Sequence, residues 1–316
     1  MVGTWRSSRV AVLYGGVSDE REVSIKTGEA FHFALLSLGY KKVEMVDATG
    51  EGLLKLASNP PDVALLALHG GLGENGSVQG MLECLKVPYT GSGVHGCATA
   101  MNKDTAKSLF RMAGLPTPDW QVLDRARVEQ ILSQPDIDAQ VPCVVKPVTS
   151  GSSVGVTLVR EADQYYGALE AAMRCPGPVM IEALIEGREL TVGLMDGQVM
   201  GIIEIAPDRN FYDYKAKYQD PKTNYLMPAP IPDRLQQEIG RLVQEANRVL
   251  GCRGVVRADL MLDAEDRPWL LEVNTTPGMT ETSLVPKLAR GSGIEFEQFT
   301  EMMLDNARLD ADLQYG

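Results

Sequence analysis

VVRADLMLDAEDRPWLLEVN, residues 255–274, carries two β-strand patterns, VVRADLMLD (255–263) and LLEVN (270–274), around a polar turn. Side chains alternate across a strand, so Arg257 and Asp259 share one face, as do Glu272 and Asn274. An antiparallel register with Leu262 opposite Trp269 sets Asp259 opposite Glu272 and Arg257 opposite Asn274. The other face then pairs Ala258 with Val273 and Leu260 with Leu271, all apolar. Two carboxylates and an amide oxygen on one face suit magnesium, which takes oxygen ligands and keeps water or phosphate in its other positions. The alternative is an edge hairpin with one solvated face, where Arg257 makes surface ion pairs.

Upstream, the apolar run of VVKPVTSGSSVG (144–155) delivers Lys146 to a loop with Gly151, Gly155 and four hydroxyls. Glycine lets backbone N–H groups approach phosphate oxygens, and a lysine adds a point charge. The stretch has no G-K-[ST], so it is not a P-loop, and a solvated hairpin turn explains it equally well. Between the two segments, ELTVGLMD and QVMGIIEIA read as a hairpin turning at Asp196-Gly197. The polar stretch 207–232 is long for a connector, which marks a lid or functional loop. Its segment DRNFYDYKAKYQD (208–220) carries Tyr212, Tyr214, Tyr218, Lys215 and Lys217; a plain surface loop is the alternative. An amphipathic helix spans about 233–250, and a final helix includes 296–305.

Toward the N-terminus, strand and helix patterns alternate, which predicts a parallel sheet with helices on both faces. RVAVLYGG is a buried strand, residues 20–38 have helical spacing (Val23, Ala30, Phe31, Ala34, Leu35, Leu38), and KKVEMVD and DVALLALHG are further strands. Helices near 50–57 and 76–85 lie between them, and VPYTG reads as another strand. A second unit begins near residue 101, with helices at about 102–113 and 161–173 and strands VTLVR and VMIEAL. GSGVHG (91–96) fits the dinucleotide pattern G-x-G-x-x-G, yet no acidic residue ends a strand about 20 positions later. A tight turn at a domain border is the better reading, and a non-catalytic NAD- or nucleotide-binding protein is the competing one.

The 30 Lys+Arg against 42 Asp+Glu give a net charge of −12, which argues against a nucleic-acid partner. Small anions require a local cluster of cations, for which Lys103, Lys146, Lys217 and Arg257 are the candidates. Five scattered cysteines without C-x-x-C favour a reducing compartment. The longest aliphatic run near the N-terminus, VALLAL (63–68), is too short for a membrane span. A cytoplasmic protein with no membrane partner is expected.

Eight ordered motifs carry a resemblance: YGGVSDEREVS (14–24), LHGGLGENGSVQGMLE (68–83), PYTGSG (88–93), MNK (101–103), VVKPVTSGSSVGV (144–156), FYDYKAKY (211–218), RADLMLD (257–263) and LLEVNTTPGMTETSLVP (270–286). Together they resemble the D-alanine–D-alanine ligases, ATP-grasp enzymes of peptidoglycan precursor synthesis, over nearly the whole chain. The resemblance implies an α/β and α+β ATP-grasp fold: an N-terminal parallel-sheet α/β domain (1–101), then two α+β ATP-grasp units, 102–186 and 187–316, with the lid loop 207–232 in the last. It also implies ATP-driven joining of two D-alanines through an acyl phosphate, two magnesium or manganese ions, room for a potassium ion, and a homodimer. D-Lactate or D-serine as second substrate is the alternative within the family; Tyr218 favours D-alanine.

By motif match, Glu20 holds the ammonium of the first D-alanine and joins Ser152 and Tyr218 in a hydrogen-bonded trio. Lys103, Lys146 and Lys217 contact ATP phosphates, covered by Ser153. Glu182, Leu184, Ile185 and Glu189 match the adenine and ribose segment, with Ala183 where relatives often have lysine. Lys215 stands where many relatives have glutamate. Asp259, Glu272 and Asn274 match the metal ligands, and Arg257 with the Gly278 amide matches the oxyanion stabilisers. Ser283 and Leu284 match the carboxylate site of the second D-alanine. His69 lies in the substrate-side loop, as a base, an orienting group or a satisfied loop histidine.

Overall fold

The computed structural model describes residues 3–134, 140–206, 224–280 and 283–310. Strand β1 (Val10–Tyr14) is apolar along nearly its whole length because it lies between two neighbours, β2 (Val43–Asp47) and β3 (Val63–Leu66), in a parallel sheet of order β2-β1-β3. Parallel pairing needs crossovers, and helices α1 (Arg21–Ser37) and α2 (Gly50–Ser58) supply them. Thr49 caps α2, its hydroxyl accepting the Gly52 N–H at 3.3 Å. The strand expected at VPYTG shrinks to isolated bridges of Tyr89 with Ala64 and Arg308. Pro88 has no N–H for a ladder, and Thr90 Oγ1 takes the Leu66 N–H at 3.0 Å, so a side chain stands in for the next rung.

Helices α3 (Ser77–Leu85), α4 (Val94–Met101) and α5 (Lys103–Met112) lead into a second, antiparallel sheet. Its strands are β4 (Trp120–Leu123), β5 (Cys143–Pro147), β6 (Thr157–Val159) and β7 (Val179–Ala183), in the order β4-β7-β5-β6. Helix α6 (Arg125–Ser133) follows β4 and has no counterpart in the sequence reading, although Asp124 is a sound cap, its carboxylate accepting the Arg127 N–H at 2.7 Å. The helix expected over 161–173 opens as a 3₁₀ turn at Ala162–Gln164 and becomes α7 at Tyr165–Met173.

The third sheet, order β10-β9-β8-β11-β12, is antiparallel throughout. It consists of β8 (Arg188–Met195), β9 (Gln198–Ala206), β10 (Asn224–Leu226), β11 (Val255–Leu262) and β12 (Pro268–Asn274). Asp196 and Gly197 both take positive φ, 45° and 76°, as the hairpin turn between β8 and β9 requires. In the β11–β12 pair, Arg257 faces Asn274, Ala258 faces Val273 and Asp259 faces Glu272, as the alternation requires. Beyond Asp259 the expected register fails: Leu260 faces Leu270 rather than Leu271, and Leu262 faces Pro268 rather than Trp269. A β-bulge inserts Leu271 as an extra residue, and it lines the same cavity as Glu272.

Helix α8 (Asp233–Val249) covers this sheet with a stripe of Leu235, Ile239, Val243 and Ala246, spaced three or four apart and buried against Leu190, Val192, Leu260 and Leu270. Helix α9 (Leu284–Gly291) packs on β8 and β9, and α10 (Phe296–Asp305) returns to the first sheet. Phe299, Met303 and Leu304 join Val10, Val12, Phe31 and Leu35 in one core, and the Phe31 and Phe296 rings stack at 5.8 Å. Ile239 is fully buried in the α8 stripe. Ile239→Ala is therefore expected to lower unfolding free energy by about 2–5 kcal/mol, measured by denaturant titration.

Candidate active site

A cavity of about 480 Å³ lies between the second and third sheets, lined by Val144, Lys146, Ser153, Glu182, Leu184, Ile185, Glu189, Met261 and Leu271 among others. This is an ordinary size for a small-ligand pocket, about 300–1,000 Å³. Strand β5 is buried along its length, which carries Lys146 to the cavity wall, where it is only 7% exposed. Its ammonium meets Glu182 Oε2 at 2.7 Å, and Lys107 Nζ meets Oε1 of the same carboxylate at 2.8 Å. Burial works against the Glu182 charge, yet the Lys146 and Lys107 ammoniums outweigh it and hold the carboxyl below its ordinary range. Burial likewise pushes the Lys107 ammonium down to about 8, with Glu182 opposing. The sequence reading missed Lys107, although it lies one helical turn after Lys103 on α5.

A smaller cavity adjoins the first and shares Lys103, Ser150, Gly151 and Glu272 with it. Lys103 Nζ donates to the Ser150 carbonyl at 2.6 Å and pairs with Glu272 Oε2 at 3.3 Å. Glu20, His69, Glu74, Ser152, Arg257, Asn274, Thr276 and Gly278 line the rest. Asp259 accepts from Thr191 Oγ1 at 2.6 Å and from Arg257 through Nε at 2.9 Å and Nη2 at 2.7 Å. Asn274 Oδ1 accepts the Thr276 N–H at 2.9 Å. Among the described residues no three His, Cys, Asp or Glu side chains form a ready-made metal cage. The hairpin instead offers two carboxylates and an amide, an all-oxygen set whose charge Arg257 and Lys103 now balance; this fits a magnesium-type ion that draws further ligands from water or phosphate.

The Gly/Ser loop is held in an uncommon conformation. Ser152 and Ser153 both have left-handed φ, 50° and 57°, which non-glycine residues adopt only when their surroundings impose it. The Ser152 hydroxyl donates to Glu20 Oε1, tying the loop to the residue that precedes α1. Gly70 (φ 67°) passes so close that a Cβ there would lie 2.8 Å from Glu20 Oε2. His69 is buried, and burial lowers its pKa, with Glu20 opposing. Its Nδ1 donates to the Thr276 carbonyl at 2.9 Å, so Nε2 is the acceptor for the Thr27 hydroxyl at 2.9 Å. Both ring nitrogens are thereby engaged. Glu74, quoted within its motif but given no role in the sequence reading, is buried beside them and accepts from Thr276 Oγ1 at 2.6 Å. Burial and then the Glu20 charge raise its carboxyl to about 7.

Gly278 lines the smaller cavity, and a Cβ on it would sit 3.0 Å from Ser283 Oγ. Ser283 precedes α9 and its hydroxyl accepts the Thr280 N–H at 3.1 Å; Leu284 packs by Ile205. Neither residue lines a cavity, and Ser283 stands beside Gly278. Tyr218 and Lys217 lie outside the described residues, so the trio is represented by its Glu20–Ser152 half.

Residues 109–305 match the family described as D-ala D-ala ligase C-terminus, and residues 41–92 match D-ala D-ala ligase N-terminus. A D-alanine–D-alanine ligase of an Anaeromyxobacter strain is 45% identical over 310 residues, 98% of this chain and all of that protein. One from Magnetococcus marinus is 44% identical over 96% of this chain and 99% of its own. The chain belongs to the D-alanine–D-alanine ligase family. Among solved structures, a Bacillus anthracis D-alanine–D-alanine ligase complexed with ATP superposes with a TM-score of 0.80 at 34% identity, over 98% of this chain and 99% of the other. The VanG D-Ala:D-Ser ligase of Enterococcus faecalis gives 0.79 at 26% identity, over 95% and 99%.

In this member of the D-alanine–D-alanine ligase family the glycines of GSGVHG serve packing. A Cβ on Gly93 would fall 1.9 Å from the Asp310 carboxylate, whose Oδ2 accepts the Val94 N–H opening α4 at 3.0 Å. A Cβ on Gly96 would meet the Gly251 carbonyl oxygen at 2.6 Å, and one on Gly254 would meet Gly91 Cα at 2.7 Å. The motif is a seam between the first and third sheets' loops.

The raised Glu74 carboxyl has a measurable consequence. Its folded pKa, about 7, stands above the ordinary 4.5, so the folded chain keeps a proton that the unfolded chain has lost. This contribution is fully present below about 4.5 and is lost as pH rises through about 7. Glu74→Gln cannot lose a proton. The variant is expected to gain stability relative to the parent between pH 5 and pH 8 by on the order of 3 kcal/mol, read from denaturant midpoints. A difference that does not change with pH would refute it.

Proposed function

We propose that this chain joins two D-alanines at the expense of ATP, releasing ADP and phosphate, and so supplies a peptidoglycan precursor. The observation that carries the reading is the meeting of the two cavities at Lys103, Ser150, Gly151 and Glu272. A phosphoryl group held at that junction reaches a carboxylate in the smaller cavity without leaving protein. A carboxylate is a poor electrophile, and taking the γ-phosphate turns one oxygen into a leaving group, so the amine of the second D-alanine can attack and expel phosphate.

Adenine and ribose lie along Leu184, Ile185 and Glu189, with Lys146, Lys103, Lys217 and the Ser153 loop around the phosphates. Glu182 contributes through Lys146, since its carboxylate is committed to the two lysines. With Ala183 in place of the common lysine, backbone groups of this segment carry more of the adenine recognition. Glu20 holds the ammonium of the first D-alanine, and Ser152 and Tyr218 fix Glu20. Arg257 and the Gly278 N–H face the carbonyl carbon and stabilise the oxyanion as it forms. Ser283 and Leu284 receive the carboxylate of the second D-alanine. His69, with both nitrogens engaged, orients the Thr276 segment rather than moving a proton. Asp259, Glu272 and Asn274 would hold two magnesium or manganese ions, which neutralise phosphate charge when bound.

The same proposal takes the three sheets as three units, 1–101, 102–186 and 187–316, and places a homodimer in the cytoplasm. All five cysteines are free, and among the described residues no helix is long and apolar enough to cross a membrane.

Purified protein is expected to release ADP only with D-alanine and magnesium present, with the dipeptide visible by mass spectrometry. D-Serine and D-lactate offered in competition should yield minor products; ATP turnover without D-alanine dependence and without dipeptide would sink the reading. Glu272→Gln should lower kcat by at least about 100-fold at an unchanged thermal midpoint.

A further inference from the structure

Behind the larger cavity lies a polar cluster that the proposed chemistry does not use. Lys107 is fully buried and is not among the residues lining either cavity. Its ammonium touches Glu182 Oε1 at 2.8 Å and Thr117 Oγ1 at 2.5 Å, and lies 5.2 Å from the centre of the Trp120 ring. The Thr117 hydroxyl in turn donates to the Leu270 carbonyl on β12 at 2.8 Å. A buried ammonium is costly to maintain. Tying α5 to the second and third sheets needs no charge, because an uncharged hydrogen-bonding side chain could do that. The charge matters for what stands across Glu182, namely Lys146 on the cavity wall.

Two ammoniums on one carboxylate leave a net charge of +1. Without Lys107 the same carboxylate would neutralise Lys146, and the wall would present a net charge of zero to an anionic ligand. We propose that Lys107 is a positioning residue for ATP: by engaging one oxygen of Glu182, it keeps the charge and direction of Lys146 available to the nucleotide phosphates. The inference rests on the reading of this cleft as the ATP site. It also explains why α5 carries Lys103 and Lys107 one turn apart. The first serves the junction of the two cavities, and the second serves the Lys146 wall.

The test is the ratio of ATP affinity to adenosine affinity at pH 7, by calorimetry or displacement of a fluorescent nucleotide. Adenosine has the same base and sugar and no phosphates. In Lys107→Met the ATP affinity should fall roughly tenfold or more while adenosine affinity stays within about twofold, because only the phosphates sense the lost charge. Adding Glu182→Gln to Lys107→Met removes the neutralising carboxylate, leaves Lys146 charged and should return the ratio to near its parental value. This double variant leaves no buried carboxylate oxygen without its ammonium, so it also serves if the single variant fails to fold. Equal losses for ATP and adenosine, an unchanged ratio in Lys107→Met, or a double variant whose ratio stays low would each overturn the role. Parental protein that binds adenosine and ATP equally, or neither, would instead remove the ATP-site reading beneath it.

Discussion

The Lys103 ammonium is the point on which the site depends. It arises from the first turn of α5, donates to a carbonyl of the Gly/Ser loop and pairs with a carboxylate of the β11–β12 hairpin. Three segments far apart in sequence are brought together by one nearly buried charge. Glu272 is a third exposed, so water screens the pair, and the contact fixes position more than it adds stability. The short connection between α4 and α5 becomes intelligible in that light. Asn102 caps α5 through its contact with the Thr105 N–H, which fixes where the helix starts and so where Lys103 stands.

Much of this was legible in the residues. Alternation along 255–274 puts the polar side chains on one face, and the register that separates them from the apolar ones sets Asp259 opposite Glu272 and Arg257 opposite Asn274, as found. The same reasoning fails one residue later. A bulge breaks the period, and nothing in LLEVN distinguishes Leu271 as the extra residue. The Asp196-Gly197 turn was readable because its backbone demands positive φ at both positions. Roles within the site rested on the family resemblance rather than on pattern.

What pattern did not disclose is tertiary. Lys107 looks like any helical lysine until β7 brings Glu182 to it, and Glu74 looks like a loop glutamate until His69 and Thr276 close around it. The dinucleotide-like glycines show the opposite error, since a motif can satisfy a spacing rule for reasons of packing alone. Gly93 gives way to the Asp310 carboxylate, and that carboxylate pairs with Arg253 at 3.3 Å. The net charge of −12 is reconciled in the same manner. Carboxylates such as Glu182 and Asp259 hold the few cations in place, so the local field is set by pairing rather than by the total.

Helix α10 fixes the order in which the molecule can be completed. The first sheet is made from residues 10–66, yet part of its core is Phe299, Met303 and Leu304. On a ribosome, Val10, Val12, Phe31 and Leu35 emerge long before the side chains that finish covering them. The antiparallel sheets, built from residues 120–183 and 188–274, have all their strands in hand earlier. Nearly 300 residues therefore separate partners in the same core, the kind of distant contact that slows folding and leaves apolar surface waiting. The N-terminal end of the chain is the first to be synthesised and the last to be sealed.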